Sequence, residues 1–258
     1  MLDSTKKPLA VITGASSGIG EAAARRFIQA GYRVALLARR QERLEKLQKE
    51  LGSAVFIFPI DITLKESVFK LIDTIEAEIG PIDVLINNAG CGFGLEPAQE
   101  CNIEEWEQCV DVNINGLLYV TRAALPYMVR RNAGHIINIG SVAGSYPYPG
   151  GNVYGATKAF VSQFSLNLRA DLLGTQVRVS CIEPGLVAGT EFFVKRFRGD
   201  EKRAEKVSAQ TVPLTPEDIA ETIYFCTALP PHANINRIEI MPVDQASAPL
   251  AIHRTANS

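Results

Sequence analysis

The sequence predicts an α/β fold, a doubly wound parallel sheet with helices on both faces. Two observations carry this. Short, almost wholly apolar runs recur along the chain, separated by segments with helical periodicity. A glycine-rich turn, Thr13-Gly-Ala-Ser-Ser-Gly-Ile-Gly20, joins the first apolar run to the first helical segment. Strands apolar on both sides belong to a sheet covered on both faces. Strand–helix alternation with right-handed crossovers then winds that sheet in two directions.

The elements follow in order. Leu9 to Thr13 is the first strand, and a helix covers Glu21 to Ala30, ending at Gly31. Arg33 to Ala38 is the second strand. Gln41 to Leu51 is a charged amphipathic helix with Gly52 placed to end it. Ala54 to Pro59 is the third strand. Thr63-Leu-Lys-Glu66 has the spacing of a capping box and opens a helix to Ile79, stopped by Gly80-Pro81. Ile82 to Asn87 is the fourth strand. A long helix starts near Asn102 and runs past Leu125, with Pro126 placed to bend it. Gly134 to Gly140 holds the fifth strand. A helix covers Asn152 to Leu173, and Gln176 to Glu183 is the sixth strand, stopped by Pro184-Gly185. Thr215-Pro-Glu-Asp218 opens another helix, with threonine as cap and proline in its first turn. Ile235 to Met241 is the last strand. Residues 190–212 are charged and weakly periodic, and are expected to form a flap or short helices.

Composition narrows the function. Of 258 residues, 47% are apolar and 21% charged, with a formal net charge of −2. That is the profile of a soluble globular protein without a basic field for nucleic acid or anionic membranes. No stretch approaches the ~20 apolar residues of a membrane span, and a cytoplasmic location is expected. The five cysteines are odd in number and form no Cys-x-x-Cys pair, and the three histidines are scattered, so neither a disulfide framework nor a metal site is expected.

The glycine turn sits where a strand hands over to a helix. Gly14, Gly18 and Gly20 allow a tight turn and close approach to a diphosphate, which the helix N-terminus favours. Ser16, Ser17 and Ile19 share that turn. At the end of the second strand, where an acidic residue would bind the 2′-hydroxyl of NAD, the chain has Arg39 and Arg40. Two guanidiniums and no carboxylate suit a 2′-phosphate, so NADP(H) is expected, with Arg39 the main contact and Arg40 the second. Asp61 follows the third strand, placed to accept from an adenine amino group, with Ile62 beside it. Asn88, Ala89 and Gly90 end the fourth strand at the same edge.

Tyr154 and Lys158 stand four apart on one helix face. A phenol titrating near ~10 is a weak base at neutral pH, and a neighbouring ammonium lowers that value. Ser141, thirteen residues upstream of Tyr154, can be brought by a loop to hold a substrate oxygen beside the phenol. Together they suit proton transfer to and from an alcohol oxygen.

With these motifs in order the chain resembles the short-chain dehydrogenase/reductase family. The motifs are Thr-Gly-x3-Gly-x-Gly at 13–20, Asn-Asn-Ala-Gly at 87–90, Asn113, Ser141, Tyr154-x3-Lys158 and Pro184-Gly185. The resemblance spans Thr13 to Met241. It implies a single Rossmann-type dinucleotide-binding and catalytic domain over 1–258, with residues 190–212 as substrate flap. It implies a catalytic tetrad of Asn113, Ser141, Tyr154 and Lys158. Tyr154 would be the acid/base, Ser141 the holder of the substrate oxygen, and Lys158 a ligand of the nicotinamide ribose. Asn113 would distort its helix and hold a water. Tyr154, Lys158, Pro184, Gly185, Val187 and Thr190 would line the nicotinamide end.

Within the family, Gly134-His-Ile-Ile-Asn-Ile-Gly-Ser141, Gly150-Gly-Asn-Val-Tyr-Gly-Ala-Thr-Lys-Ala-Phe160 and Thr190-Glu-Phe192 look like the NADP-dependent 3-hydroxy acid dehydrogenases. So does the region of Met241-Pro242 and His253-Arg254. That implies hydride transfer between NADP(H) and small 3-hydroxy acids such as L-allo-threonine, L-serine and 3-hydroxypropionate. The rival readings are a carbonyl reductase for ketones or acyl thioesters, and a non-catalytic NADPH sensor.

A substrate carboxylate in a closed site needs a cation. Lys195, Arg196 and Arg198 of the flap are candidates, with Arg254 from the C-terminal region, and Glu191 is a candidate for an amino group. Gly150, Gly151 and Asn152 would leave room for a small substrate. Phe93, Tyr146 and Tyr148 could wall the pocket, and Cys91 is read as a filler. On the helix of Tyr154, Ala156, Phe160, Phe164 and Leu168 form one apolar stripe, with Ala159, Leu166, Ala170 and Leu173 roughly opposite. One stripe would cover the sheet and the other a second subunit. The resemblance implies a homotetramer.

Overall fold

The computed structural model describes residues 7–247. His253 and Arg254 lie outside the described residues. Seven strands form one parallel sheet: β1 Leu9–Thr13, β2 Arg33–Ala38, β3 Val55–Pro59, β4 Val84–Asn87, β5 Gly134–Ile139, β6 Val177–Pro184 and β7 Arg237–Ile240. Their order is β3-β2-β1-β4-β5-β6-β7. The direction in which successive strands are added reverses between β1 and β4, which opens a crevice beyond the strand ends there.

The central strands are largely apolar because both faces are covered. Ala10, Ile12 and Leu36 pack with Ala23, Phe27, Leu44 and Ile223 on one face. Leu9, Val11 and Leu37 pack with Ile72, Ala124 and Met128 on the other. The first layer comprises helices α1 Gly18–Gln29, α2 Gln41–Leu51 and α9 Pro216–Ala228. The second comprises α3 Lys65–Thr74, α4 Ile103–Val110, α5 Leu117–Arg131 and α6 Asn152–Asp171. Residues 190–212 fold as two short helices, α7 Phe192–Arg196 and α8 Glu201–Val207.

Local signals worked where the cap could reach its partner. Asn102 accepts from the Glu104 amide, and Thr215 and Asp218 form a full capping box. The expected box at Thr63 does not form. Asp61 Oδ1 instead takes the Thr63 amide at 3.0 Å and its hydroxyl at 2.8 Å, and α3 begins two residues later at Lys65. The carboxylate outcompetes the box because it lies two residues back, in range of both donors at once. The long helix after Asn102 is continuous but widens to π geometry over Asp111–Gly116 before α5, which contains Pro126.

The stripe expected on α6 is also corrected. Its buried face is Thr157, Lys158, Val161, Ser165 and Leu168. Phe160 and Phe164 stack on one another at the flank and stay half-buried, while Leu166 and Leu173 are exposed. The polar members of the inner face have partners waiting. Ser165 joins a buried chain that runs through Asn138 and Asn87 to Thr121, each link 2.9 Å.

His135 in β5 bonds Ser180 in β6 at 2.9 Å. Burial and the nearby Arg178 charge push its pKa down to about 3. Between pH 6.5 and 3 the unfolded chain therefore binds a proton that the folded chain refuses. This contribution is fully present above 6.5 and is lost as pH falls toward 3. His135→Gln is expected to flatten the fall of unfolding free energy with acidification in that window by up to about 1.4 kcal/mol per pH unit. Urea denaturation of both proteins at several pH values checks this. Parallel slopes would contradict it.

Candidate active site

A crevice of about 860 Å³ opens over the β1–β4 switch point. Its floor is the glycine turn. Gly14 and Gly18 have φ of +66° and +56°, which favours glycine at both positions. A Cβ on Gly20 would stand 2.5 Å from the Gly14 carbonyl oxygen, so Gly20 serves the packing of the turn. Gly20 does not line the crevice, contrary to its expected role as a cofactor contact, whereas Gly14, Ser16, Ser17, Gly18 and Ile19 do. A clasp ties the turn to the end of β4. Thr13 Oγ1 accepts from the amides of Asn88 and Ala89, and Asn88 Nδ2 donates to Thr13 O at 2.9 Å.

At one end of the crevice Arg39 is exposed, its guanidinium 4.0 Å from Asp61. Arg40 is half-buried and held from several sides. It donates to Ser16 Oγ at 3.0 Å, to Ser17 Oγ at 2.8 Å and to Glu191 Oε2 at 2.6 Å. Arg43 reaches the other Glu191 oxygen at 2.6 Å, and Lys195 Nζ lies 3.6 Å from the carboxylate. Burial works to raise the Glu191 pKa, but the two guanidiniums outweigh it and hold it near about 2. Ile62 lines the crevice and also packs against Gly116 in the π turn, where an added Cβ would meet it at 2.7 Å.

At the other end Ser141, Tyr154 and Lys158 line the crevice, with Pro184, Gly185, Val187 and Thr190 opposite. Ser141 caps a short 3-10 turn, its Oγ accepting from the Ala143 amide at 3.1 Å. Lys158 is buried, donates to Ile139 O at 2.8 Å and stands 5.9 Å from the Tyr154 ring centre. The expected lowering of the Tyr154 pKa is not what this arrangement produces. Burial of the phenol pushes its pKa up and outweighs the adjacent Ser141 hydroxyl, which acts the other way. Desolvation likewise depresses Lys158. Removal from water disfavours the charged form of each, and the lysine spends a bond on a carbonyl rather than on the phenol.

Asn113 sits in the π turn, below the crevice wall. Its side chain clamps Cys91, accepting from the Cys91 amide at 2.8 Å and donating to its carbonyl at 2.9 Å, and it holds Thr157 Oγ1 at 2.9 Å. It thereby joins the Asn88-Ala89-Gly90 segment to the helix that carries Tyr154 and Lys158. The expected helix distortion at Asn113 is present.

The three flap cations separate. Arg198 is turned outward onto Glu96 and Glu105, 2.7 Å from each, and Lys195 faces Glu191. Arg196 turns inward and is 2% exposed. Its guanidinium lies 5.0 Å from the Tyr154 ring centre and 5.5 Å from that of Tyr148. It donates to Gly94 O at 3.0 Å and Gly150 O at 3.1 Å. Its Nη1 takes part in neither of these bonds, the Tyr148 side chain stands beside the guanidinium, and the residue lines the crevice.

Gly150, Gly151 and Asn152 do not open the pocket. The Gly150 carbonyl is spent on Arg196, a Cβ on Gly151 would meet Tyr148, and Asn152 turns to Cys101. Phe93, Tyr146, Tyr148 and Cys91 are in the lining.

The model of the short chain dehydrogenase family matches residues 8–201. This chain belongs to that family. The dehydrogenase is 55% identical over 246 residues to the NADP-dependent 3-hydroxy acid dehydrogenase YdfG of Escherichia coli, covering 95% of this chain and 99% of that one. It is 45% identical to sulfoacetaldehyde reductase 2 of Chromohalobacter salexigens, covering 95% and 98%. Among solved structures, the closed form of a serine dehydrogenase complexed with NADP+ matches with a TM-score of 0.94 at 54% identity, covering 96% of this chain and 100% of that chain.

Two site residues of the dehydrogenase escaped sequence reasoning. Gly92 makes room for the catalytic-end aromatic, since a Cβ there would stand 2.8 Å from Tyr154 Cδ2. Phe192 packs on Tyr154 at 5.3 Å between ring centres. The glycine after Asn-Asn-Ala-Gly was visible in the chain, but nothing local said which ring it would face. Among the described residues no group of three metal-ligating side chains converges, and no helix is long and apolar enough to cross a membrane.

Proposed function

We propose that this short-chain dehydrogenase is an NADP-dependent oxidoreductase of small 3-hydroxy acids. The observation that carries the acid specificity is Arg196, a buried guanidinium beside Tyr154 with one edge left for an anion. The similar proteins share that logic by name, since a 3-hydroxy acid and sulfoacetaldehyde both carry an anionic group close to the reacting carbon.

The residues fit the cofactor. The Gly14–Ile19 turn and the first amides of α1 offer donors for a diphosphate. Arg39 and Arg40 offer guanidiniums for a 2′-phosphate, and Asp61 and Ile62 flank an adenine position. Asn88, Ala89 and Gly90 would border a ribose. Lys158 and Tyr154 would hold the nicotinamide ribose, with Pro184, Gly185, Val187 and Thr190 on the far side. Bound NADP(H) supplies or accepts the hydride at the hydroxyl-bearing carbon.

The chain's own groups handle the proton and the charge. Ser141 and Tyr154 hold the substrate oxygen. In reduction Tyr154 gives its phenolic proton to that oxygen, and in oxidation it takes the proton back. Burial keeps Tyr154 neutral, so at neutral pH it stands ready as the donor. Arg196 takes the carboxylate and fixes which carbon faces the nicotinamide. Asn113 keeps the two walls of the site in register. The exposed Leu166 and Leu173 on α6, with the half-buried Phe160 and Phe164, support a homotetramer built on that helix, and a cytoplasmic location is proposed with it.

The test is NADP+ reduction across L-serine, L-allo-threonine, 3-hydroxypropionate and a neutral alcohol of similar size. The acids are expected to react far better, and equal activity on the neutral alcohol would overturn the proposal. A second prediction concerns Arg39, which is exposed and pairs only loosely with Asp61. Arg39→Asp is expected to raise KM for NADP+ by about 10- to 100-fold through loss of a charge-assisted phosphate contact. KM for NAD+ should change little. Equal loss with both cofactors would show that Arg39 does not read the phosphate.

A further inference from the structure

We infer that Glu191 fastens the segment after β6 across the mouth of the crevice, and that this ion-pair strap governs how fast the dinucleotide leaves. The inference rests on the reading that NADP(H) occupies the crevice.

The span is what makes the contact informative. Arg40 follows β2 and Glu191 follows β6, at the same edge of the sheet. Those strands are separated by β1, β4 and β5. Four strand spacings amount to roughly 19 Å, so a direct contact between the two ends has to arch over the intervening strand ends. The crevice lies beneath that arch, and Arg40 and Glu191 both line it.

The arch is anchored at several points. One Glu191 oxygen takes Arg40 at 2.6 Å, and the other takes Arg43 of α2 at 2.6 Å. Arg40 is itself tied to the hydroxyls of Ser16 and Ser17 on the glycine turn. Thr190, next in the chain, rests on that turn, with its methyl 3.1 Å from the Cβ position of Gly18. Glu191 is also the N-cap residue of α7, which places Phe192 on Tyr154 and Arg196 at the far end of the crevice. Isolated exposed ion pairs contribute little. Here two guanidiniums share one carboxylate and one of them is held by the floor, so the carboxylate links the floor, the α2 corner and α7. Lifting the segment after β6 breaks both Glu191 bonds and the Thr190 contact together.

The strap sits at the same end as the arginines proposed for the 2′-phosphate. Arg43 serves only the strap, since its bond is to Glu191 and it is absent from the crevice lining. This separates closure from cofactor recognition.

The experiment is stopped-flow displacement of bound NADPH, followed by its fluorescence, for the unmodified protein, Glu191→Gln, Arg43→Gln and the double variant. Each single change is expected to speed NADPH release by about tenfold, and the double variant should be no faster than the faster single, because both remove one shared contact. Raising ionic strength should speed release more steeply from the unmodified protein than from Glu191→Gln, in which only the phosphate contacts remain to be screened. An unchanged release rate in both single variants would overturn the strap, as would multiplicative effects in the double. Arg43 is half exposed on α2, so its variant keeps the test decisive should Glu191→Gln fold poorly. Failure of the unmodified protein to bind NADPH would defeat the cofactor reading and the strap together, whereas tight binding with unaltered release defeats the strap alone.

Discussion

Tyr154→Phe is expected to lower kcat/KM for 3-hydroxy acids by about 10³-fold or more while leaving NADPH affinity within about twofold, since general acid–base transfer contributes typically 10²–10⁴. The substitution keeps the ring that packs on Phe192 and fills the space beside Gly92. What is lost is the hydroxyl, and with it the proton carrier and one neutral hydrogen bond to ribose or substrate. Direction of reaction gives a second readout. Burial pushes the Tyr154 pKa up, so the neutral phenol is the form present at neutral pH. Reduction, which uses the neutral phenol, should hold steady as pH rises and fail only in strongly alkaline solution. Oxidation, which must place a proton on the phenolate, should climb with pH across the same range. Both limbs are expected to vanish in the phenylalanine variant. Intact turnover in that variant would remove the basis of the proposed chemistry.

Arg196→Met is expected to lower kcat/KM for L-serine and 3-hydroxypropionate by about 10²- to 10³-fold, because truncating one partner of a buried charge pair costs about 2–5 kcal/mol. Activity on a neutral alcohol should change by less than about threefold on the same physical ground, as no carboxylate is left unpaired. Arg196 also donates to the carbonyls of Gly94 and Gly150. A purely structural role would therefore depress all substrates alike, and the ratio of acid to neutral activity separates the two. Arg196→Lys should recover only part of the loss, because a lysine cannot hold both carbonyls and a carboxylate in one plane. Equal losses on acid and neutral substrates would show that the carboxylate is held elsewhere.

Much of this molecule was readable residue by residue. The strand–turn–helix at Thr13 to Gly20 and the Tyr154–Lys158 pair depend on spacings of a few residues, and local geometry enforces those spacings wherever the chain goes. The capping box at Thr215 formed for the same reason. The one at Thr63 failed because Asp61, two residues earlier, offered a better acceptor to the same donors. The apolar stripe on α6 was misjudged for a different reason. The inner face of that helix carries Thr157, Lys158 and Ser165, whose partners are Asn113, Ile139 and Asn138. Periodicity counts apolar residues and cannot see a polar partner supplied from another strand.

By itself the sequence determined the alternation of strands and helices, the two-way winding of the sheet, and the glycine turn and tyrosine–lysine pair. Tertiary structure alone decided which flap cation turns into the crevice. Lys195, Arg196 and Arg198 are near neighbours in the chain, yet one is held by Glu191, one turns onto Tyr154, and one is taken by Glu96 and Glu105. It also decided the state of the phenol and the reach of Arg40 to Glu191, 151 residues away. The physical reason is common to all three. Backbone geometry follows from neighbours along the chain, whereas desolvation and ion pairing follow from whichever distant groups the fold brings within a few ångströms.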